Sequence, residues 1–541
     1  MFLAIVGLGG PAQAPPAGDA PLAARLRRME ETNRQILRQL DEVNRKYEAL
    51  SKQLAPAPAP ASAVVEPPAE PAPSPRAAAG VGAEGVGRGR VSEVGAAKAD
   101  PSRPEGKKVE VEARDGLEFR SADGAFKLVF HDLTQAEFRG FSPANQDPVH
   151  DSFFVPRQRW YFGGQVGRDV EFYTSINRGY GSLDLLDAFI TLNFLETFRG
   201  DKESAGVGAQ GTGGRTEADR GKGPNRKLRV RVGRMKTPYL YEYFEVAEGD
   251  LIAPERSLYA GNLATNRQVG AMALGEVLDD RVNYAVGVFN GPRRSFQDFN
   301  DSKDVFGYLN ARPFLNSESL PGLKYLNLGG SINGGWENNV AQPNVFRTAN
   351  DQTPGGAAGN LSPTFLQYNN NVAERGQREQ YSAHAVLYRG SLGLLAEYGG
   401  GFQDYGVGTR GRPVHVPFDG YTLQAFYFLT GEKLTRRVNV VRPLHDLGYR
   451  DGRLYPGAVE VHARYSTLEL GRQVFADGLA DPNLWANRAS AVDVGVNWYF
   501  NYYTKIYLDW QHAMFADPVL VRPGGYSARN DLFWLRFQLY F

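Results

Sequence analysis

The chain has 541 residues, with 61 Lys and Arg against 60 Asp and Glu, a formal net charge of +1 and no cysteine. Charges this evenly mixed exclude the extended basic face of a nucleic-acid binder, and the missing cysteines exclude a disulfide framework and thiolate metal sites. No stretch reaches the roughly 18 consecutive apolar residues of a spanning helix, so a membrane protein of this sequence must be a closed β-barrel.

Residues 1–14, MFLAIVGLGGPAQA, have the apolar core of a secretory signal, with Ala12 and Ala14 in an A-x-A arrangement but no basic start, and with Pro15 disfavouring cleavage there. Over 21–54 the apolar positions step by four and three: Leu22, Leu26, Met29, Asn33, Ile36, Leu40, Val43, Tyr47, Leu50 and Leu54. This is a heptad seam. With Leu26 at an a position, Asn33 falls at a and fixes register, while Ile36 at d and Leu40 at a lean toward three or four strands. The expectation is a short trimeric coiled coil; a lone amphipathic helix fits the same pattern. Residues 55–114, rich in Pro, Ala and Gly, hold too few large apolar side chains to pack and read as a disordered linker.

From about 115 to 541 the texture changes to short alternating segments. Sixteen are predicted, near 125–139, 154–166, 170–178, 185–194, 226–235, 269–275, 282–290, 305–314, 324–336, 380–388, 392–398, 418–429, 458–470, 489–500, 504–515 and 531–541. In the last, Phe533, Leu535, Phe537, Leu539 and Phe541 alternate with Arg536, Gln538 and Tyr540. An even count of such strands, with tight turns after even strands (Gly167–Asp169, Arg389–Ser391, Asn501–Tyr503) and long connections after odd ones (337–379, 399–417), is the pattern of an outer-membrane barrel. Two even-side connections, about 195–225 and 430–457, break that pattern by their length.

The strand KLRVRVGRMK carries the clearest chemical signal. Leu228, Val230 and Val232 share one face and Arg229 and Arg231 the other, so apolar residues meeting lipid would send both guanidiniums into the lumen. Arg226, Lys227 and Arg234 extend this cluster with no acid inside it, and Arg157 with Arg159 share a face on the second strand. Guanidiniums spaced along a pore replace part of an anion's hydration, although arginines also solvate the lumen of non-selective barrels.

The segments VGRMKTPYLYEYF (232–244), APERSLYAGN (253–262), YFLTGE (427–432), GAVEVHARYSTLEL (457–470), VGVNWYFNYYTKI (494–506) and RFQLYF (536–541) together resemble the phosphate-selective porins O and P, over about 115–541. The resemblance implies a trimer of sixteen-stranded outer-membrane barrels, with a third outer loop folded inward and a ladder of inward arginines passing anions. Here that loop runs from about Lys236 to Gln268. It departs from a purely cationic constriction: Glu242, Glu245, Glu248, Asp250 and Glu255 stand against Lys236, Arg256 and Arg267.

Enzyme signatures are weak. GVGAQGTGG at 206–214 has the spacing GxGxxG without a strand and helix around it, and His384, His415, His445, His462 and His512 lack metal spacing. The sequence thus predicts an all-β, 16-stranded antiparallel transmembrane barrel, preceded by a signal-like segment, a coiled coil and a linker. It is expected to be a homotrimeric outer-membrane porin for small solutes leaning to anions such as phosphate, neither an enzyme nor dependent on a cofactor. The alternatives are a non-selective porin, or a barrel anchor whose periplasmic coiled coil holds a periplasmic partner.

Overall fold

A computed structural model describes residues 109–541, apart from 114–115, 168, 180–181, 194–226, 295, 299, 350–361, 409–411 and 438–440. The signal-like segment, the coiled coil, Arg226, the 206–214 glycine run and the linker up to 108 lie outside the described residues. The end of the stretch read as linker is a strand, β1 (Val109–Ala113), which pairs with β2 (Leu117–Ser121); β2 in turn pairs with the first residues of β3 (Phe126–Ser142).

From β3 the chain passes through β4 (Ser152–Val166), β5 (Val170–Gly179), β6 (Ser182–Leu192), β7 (Arg229–Lys236), β8 (Arg267–Val277), β9 (Val282–Phe289), β10 (Asp304–Ala311) and β11 (Tyr325–Val340). A small hairpin, β12 (Val345–Arg347) with β13 (Thr364–Gln367), precedes β14 (Val372–Arg389), β15 (Leu392–Val407) and β16 (Val414–Phe428). Another, β17 (Gly448–Arg450) with β18 (Arg453–Tyr455), precedes β19 (Ala458–Leu470), β20 (Arg488–Tyr499), β21 (Thr504–Arg522) and β22 (Gly525–Tyr540). Neighbours pair antiparallel, and β22 returns to β3 in register from Tyr540↔Leu133 to Asp531↔Ser142. Leaving out β1, β2 and the two small hairpins, sixteen strands close the wall. At the seam Asp132 and Phe541 exchange backbone hydrogen bonds of 3.0 and 3.1 Å.

Several outer connections are shorter than the sequence suggested. The one expected over 337–379 is confined to 341–371, and that over 399–417 to 408–413. The strand ends there are polar on both faces, as in AERGQREQ at 373–380, so apolar alternation stops while backbone pairing continues. The two long even-side connections are present, between β6 and β7 and between β16 and β19.

Period-two alternation sorts the side chains. Phe153, Ile190, Val232, Val286, Ile332, Leu423, Leu508, Phe533 and Phe537 are exposed on the outside, while polar and charged residues of the same strands are buried inside. No helix among the described residues is long and apolar enough to cross a membrane.

The connection between β7 and β8 folds into the lumen. From Thr237 to Asn266 all residues but Glu245 and Ala247 are buried. Its two short helices, Tyr241–Phe244 and Leu258–Leu263, pack Tyr239, Leu240, Phe244, Leu258, Tyr259 and Leu263 against Phe346, Phe365, Leu366 and Tyr368 of the β11–β14 connection and Val474 and Leu479 of the β19–β20 connection. Three connections thus share one apolar core inside the barrel.

Tyr259 is seated where the wall has no side chains. A Cβ on Gly399 would stand 2.3 Å from its ring and one on Gly420 3.1 Å, and its hydroxyl shares a 2.7 Å hydrogen bond with that of Tyr239. Gly399→Ala should therefore cost about 1–3 kcal/mol through overpacking. A lower temperature for the shift of the folded band on unheated gels would show it, and an unchanged temperature would mean that Tyr259 does not lock the loop.

Candidate functional site: a cation-lined constriction

The sign of the lumen charge is decided where the inward loop meets the wall. The 3-10 turn Glu248–Asp250 and the segment from Leu251 to Ser257 carry two carboxylates into two groups of cations.

Glu255 enters the first. Arg157 on β4 approaches it at 2.6 Å and donates from Nη1 to Gln135 at 2.8 Å. Arg536 on β22 meets Glu255 at 2.6 Å and also holds Glu137 and the carbonyl of Pro254. Arg139 pairs with Glu137 at 2.8 Å and reaches Glu255 at 3.9 Å. Burial works against the Glu255 charge, yet Arg157 and Arg536 hold its pKa down at about 2.

Glu248 enters the second, between Arg159 at 3.1 Å, Lys236 and Arg267 at 3.5 Å each, and Arg256 at 3.6 Å. Burial again opposes its charge, but Lys236, Arg159, Arg267 and Arg256 keep it well below the usual carboxylate range. Arg267 also pairs with Asp187 at 2.9 Å. Lys236 donates to the carbonyl of Tyr243 at 3.2 Å, and Arg256 donates to the carbonyls of Glu242 and Val246. Loop and wall are therefore tied by backbone carbonyls as well as by charge.

Of the residues singled out in the sequence, Arg157, Arg159, Lys236, Arg256, Arg267 and Glu248 come together here. Arg229 and Arg231 are buried on the inner face of β7, and Arg231 donates to the hydroxyl of Thr191 at 3.2 Å and lies 4.1 Å over the ring of Phe189. Arg234 belongs elsewhere. It has the parity of Val230 and Val232 and is covered by the β9–β10 connection, donating to the carbonyls of Leu186 and Arg294 with Phe296 stacked on it at 4.0 Å. Glu242 does not face the cation groups: it accepts from Ser257 N at 3.2 Å and from Gln424 at 3.0 Å, with Arg464 at 3.6 Å. Glu245 is half-buried and turned toward Tyr308.

Alternation alone could have found Arg139, Arg536 and Glu137, which share inner faces with residues already read as polar. Arg437 gave no such signal, because it comes from the irregular β16–β19 connection. It grips Glu460 with both terminal nitrogens, at 2.6 and 3.1 Å, and donates from Nε to the carbonyl of Asp250 at 2.7 Å. A segment inserted from the tight-turn end thus touches the loop inserted from the other end. The Asp250 carboxylate itself accepts no hydrogen bond, and burial pushes its pKa up.

All these wall cations are nearly buried, Arg159 at 1% exposure and Arg231 at 7%. The ladder faces the loop and not a broad water column. Arg139, Arg157 and Arg536 pair with Glu137 and Glu255; Arg159, Lys236, Arg256 and Arg267 pair with Glu248 and Asp187. Cations outnumber carboxylates in both groups.

The Glu255 anchorage has a pH sign. A carboxylate held at about 2 against an ordinary 4.5 favours the docked loop above the ordinary value, and the contribution, roughly 3 kcal/mol, is lost as pH falls from about 4.5 to about 2. Single-channel conductance should rise across that window as the loop loosens; a conductance flat through it would contradict the anchorage.

A closed barrel with an apolar outside, a charged inside and a constricting loop is a channel-forming protein of the outer membrane. The chain belongs to the phosphate-selective porin O and P family, whose model matches residues 133–516. Solved structures with a similar fold include OmpT, an outer membrane protein of Vibrio cholerae in a trimer form (8% identity, 77% of this chain and 100% of that one, TM-score 0.42). Others are an anion-selective porin from Comamonas acidovorans (10%, 77% and 100%, 0.42) and the outer membrane channel DcaP of Acinetobacter baumannii (9%, 78% and 99%, 0.43). No curated protein matches the chain.

Proposed function

We propose that this protein forms an outer-membrane channel for small hydrophilic solutes that favours anions such as phosphate. The observation that carries the reading is the surplus of cations at the constriction, where Glu248 and Glu255 leave both groups net positive. An anion passing there meets the net positive charge of these nearly buried groups, and the carboxylates among them keep the attraction weak enough to release it. The acids of the loop thus moderate the ladder without cancelling it.

On the same reading the working unit is a homotrimer, and residues 21–54 are a periplasmic coiled coil. Membership of the family supports the first, and the heptad seam the second. The selectivity is tested by adding phosphate to purified channels carrying chloride current. Chloride current should fall reversibly as phosphate occupies the constriction, and current unaffected by phosphate would leave a non-selective porin.

A further inference from the structure

The outer end of the wall buries more acid than its cations can pair. Asp304 on β10, Glu337 on β11 and Glu374 on β14 turn inward near one level, where Gly335 pairs with Arg378 and Glu337 with Gly376. All three, and Arg378 with them, are at most 1% exposed. This level belongs to the polar strand ends above the lipid, with Gln377 and Glu379 exposed on the outside. Glu374 has donors of its own, Asn339 Nδ2 at 2.6 Å and the Gln342 amide at 3.0 Å. Asp304 and Glu337 share one. It is Arg378 Nη2, which carries two hydrogens and is approached by three oxygens: the carbonyl of Gly291 at 2.8 Å, Glu337 Oε1 at 2.6 Å, and Asp304 Oδ2 in a closer hydrogen bond. One hydrogen is missing, and Glu337 is the group left without it: both its oxygens are buried and accept no hydrogen bond.

The charge count agrees. The cations packed on these three acids are Arg378 and Arg293. Among the described residues no three acidic or histidine side chains are set to hold a metal ion, so a proton is the partner that fits. Burial pushes the Glu337 carboxyl up, against the pull of Arg378, and Asp304 and Glu374 push it the same way. The tyrosines beside Glu374, Tyr368 and Tyr405, are phenols pushed further up by their own burial. What the cluster holds is the β9–β10 connection. Gly291 lies at its start, bound to Arg378 by its carbonyl and so close to Glu337 that a Cβ there would stand 2.7 Å from Oε1. Two residues on, Arg293 donates to the carbonyl of Asn262 on the inward loop at 3.2 Å.

We propose that Asp304 and Glu337 bind one proton between them, and that this proton latches the β9–β10 connection over the inward loop. With it in place the Glu337 hydroxyl donates to Asp304, and Arg378 keeps its hydrogens for Asp304 and Gly291. Once it is lost to water, two neighbouring carboxylates compete for Arg378, which is drawn off the Gly291 carbonyl, and the connection loosens. A carboxyl raised in the latched form and ordinary in the released one favours the latched form at low pH. That preference fades as pH climbs past the ordinary value of 4.5 and is gone above the raised one. The window lies on the alkaline side of the one set by Glu255, so the two responses separate.

The test is single-channel recording of the purified full-length protein at about pH 6 and about pH 9, on either side of the range that buried glutamates reach. Mean conductance of the parent should be about twofold higher at the alkaline value, with more frequent transitions between levels. In Glu337→Gln and in Asp304→Asn an amide supplies the missing hydrogen without a proton. Each should conduct alike at both values, at the level of the parent at the lower one, with gel migration confirming a folded barrel. Infrared difference spectra between the two values should show the parent losing the carbonyl band of a protonated carboxyl, and Glu337→Gln losing less of it. A parent indifferent to pH, amide variants that respond as the parent does, or equal infrared losses would overturn the proposal. Anion preference does not enter, because conductance and not reversal potential is read.

Discussion

Glu248→Gln should produce the largest single change in the channel. The substitution keeps the volume and removes the charge that Arg159, Lys236, Arg256 and Arg267 converge on, leaving Asp187 paired with Arg267 alone. Breaking a buried charge network from one side costs about 3–5 kcal/mol, because the cations remain desolvated without their partner. The inward loop should then leave its seat, at least part of the time, and single-channel conductance should rise severalfold with frequent transitions between levels. Glu245→Gln, altered on the same loop but away from the cations, should conduct as the parent does. Steady, unchanged conductance in the Glu248 variant would mean that the apolar core around Tyr259 and Phe346 holds the loop unaided.

Arg536→Met should act on both stability and selectivity. Arg536 is fully buried and links three groups: Glu137 on the wall, and Glu255 and the carbonyl of Pro254 on the loop. Without it Glu137 and Glu255 are left to Arg139 and Arg157, so the first group loses its cationic surplus. We expect a loss of about 3–5 kcal/mol, seen as a lower temperature of band shift on gels, together with a smaller ratio of anion to cation permeability. Arg234→Met serves as the comparison. It removes a guanidinium buried under the β9–β10 connection, so it should lower stability and leave the permeability ratio alone.

Much of the barrel is legible in the chain because lipid on one side and polar lumen on the other impose a strict period of two. Each of the sixteen alternating segments overlaps a strand of the wall. Their outer ends were not legible, since above the membrane both faces are polar and pairing continues without an apolar signature, as at 372–380. The site divides in the same way. Arg157, Arg159, Arg229 and Arg231 follow from parity alone. Arg234 does not, because what buries it is a connection remote in sequence, and Glu248 and Glu255 could be counted as loop acids but not matched to their cations. That match depends on how a loop of some thirty residues folds between Lys236 and Arg267, which is fixed by Tyr259 resting on glycines of β15 and β16 and by loop carbonyls that accept from Arg256, Arg437 and Arg536. No local pattern encodes such distant contacts.

The surplus of cations around Glu248 and Glu255 should set the sign of selectivity, and the zero-current potential of the purified channel in a potassium chloride gradient measures it most directly. A potential of the sign set by chloride, moving toward zero in Arg536→Met, is the predicted result. A potential of the sign set by potassium, or one that Arg536→Met leaves where it was, would contradict it.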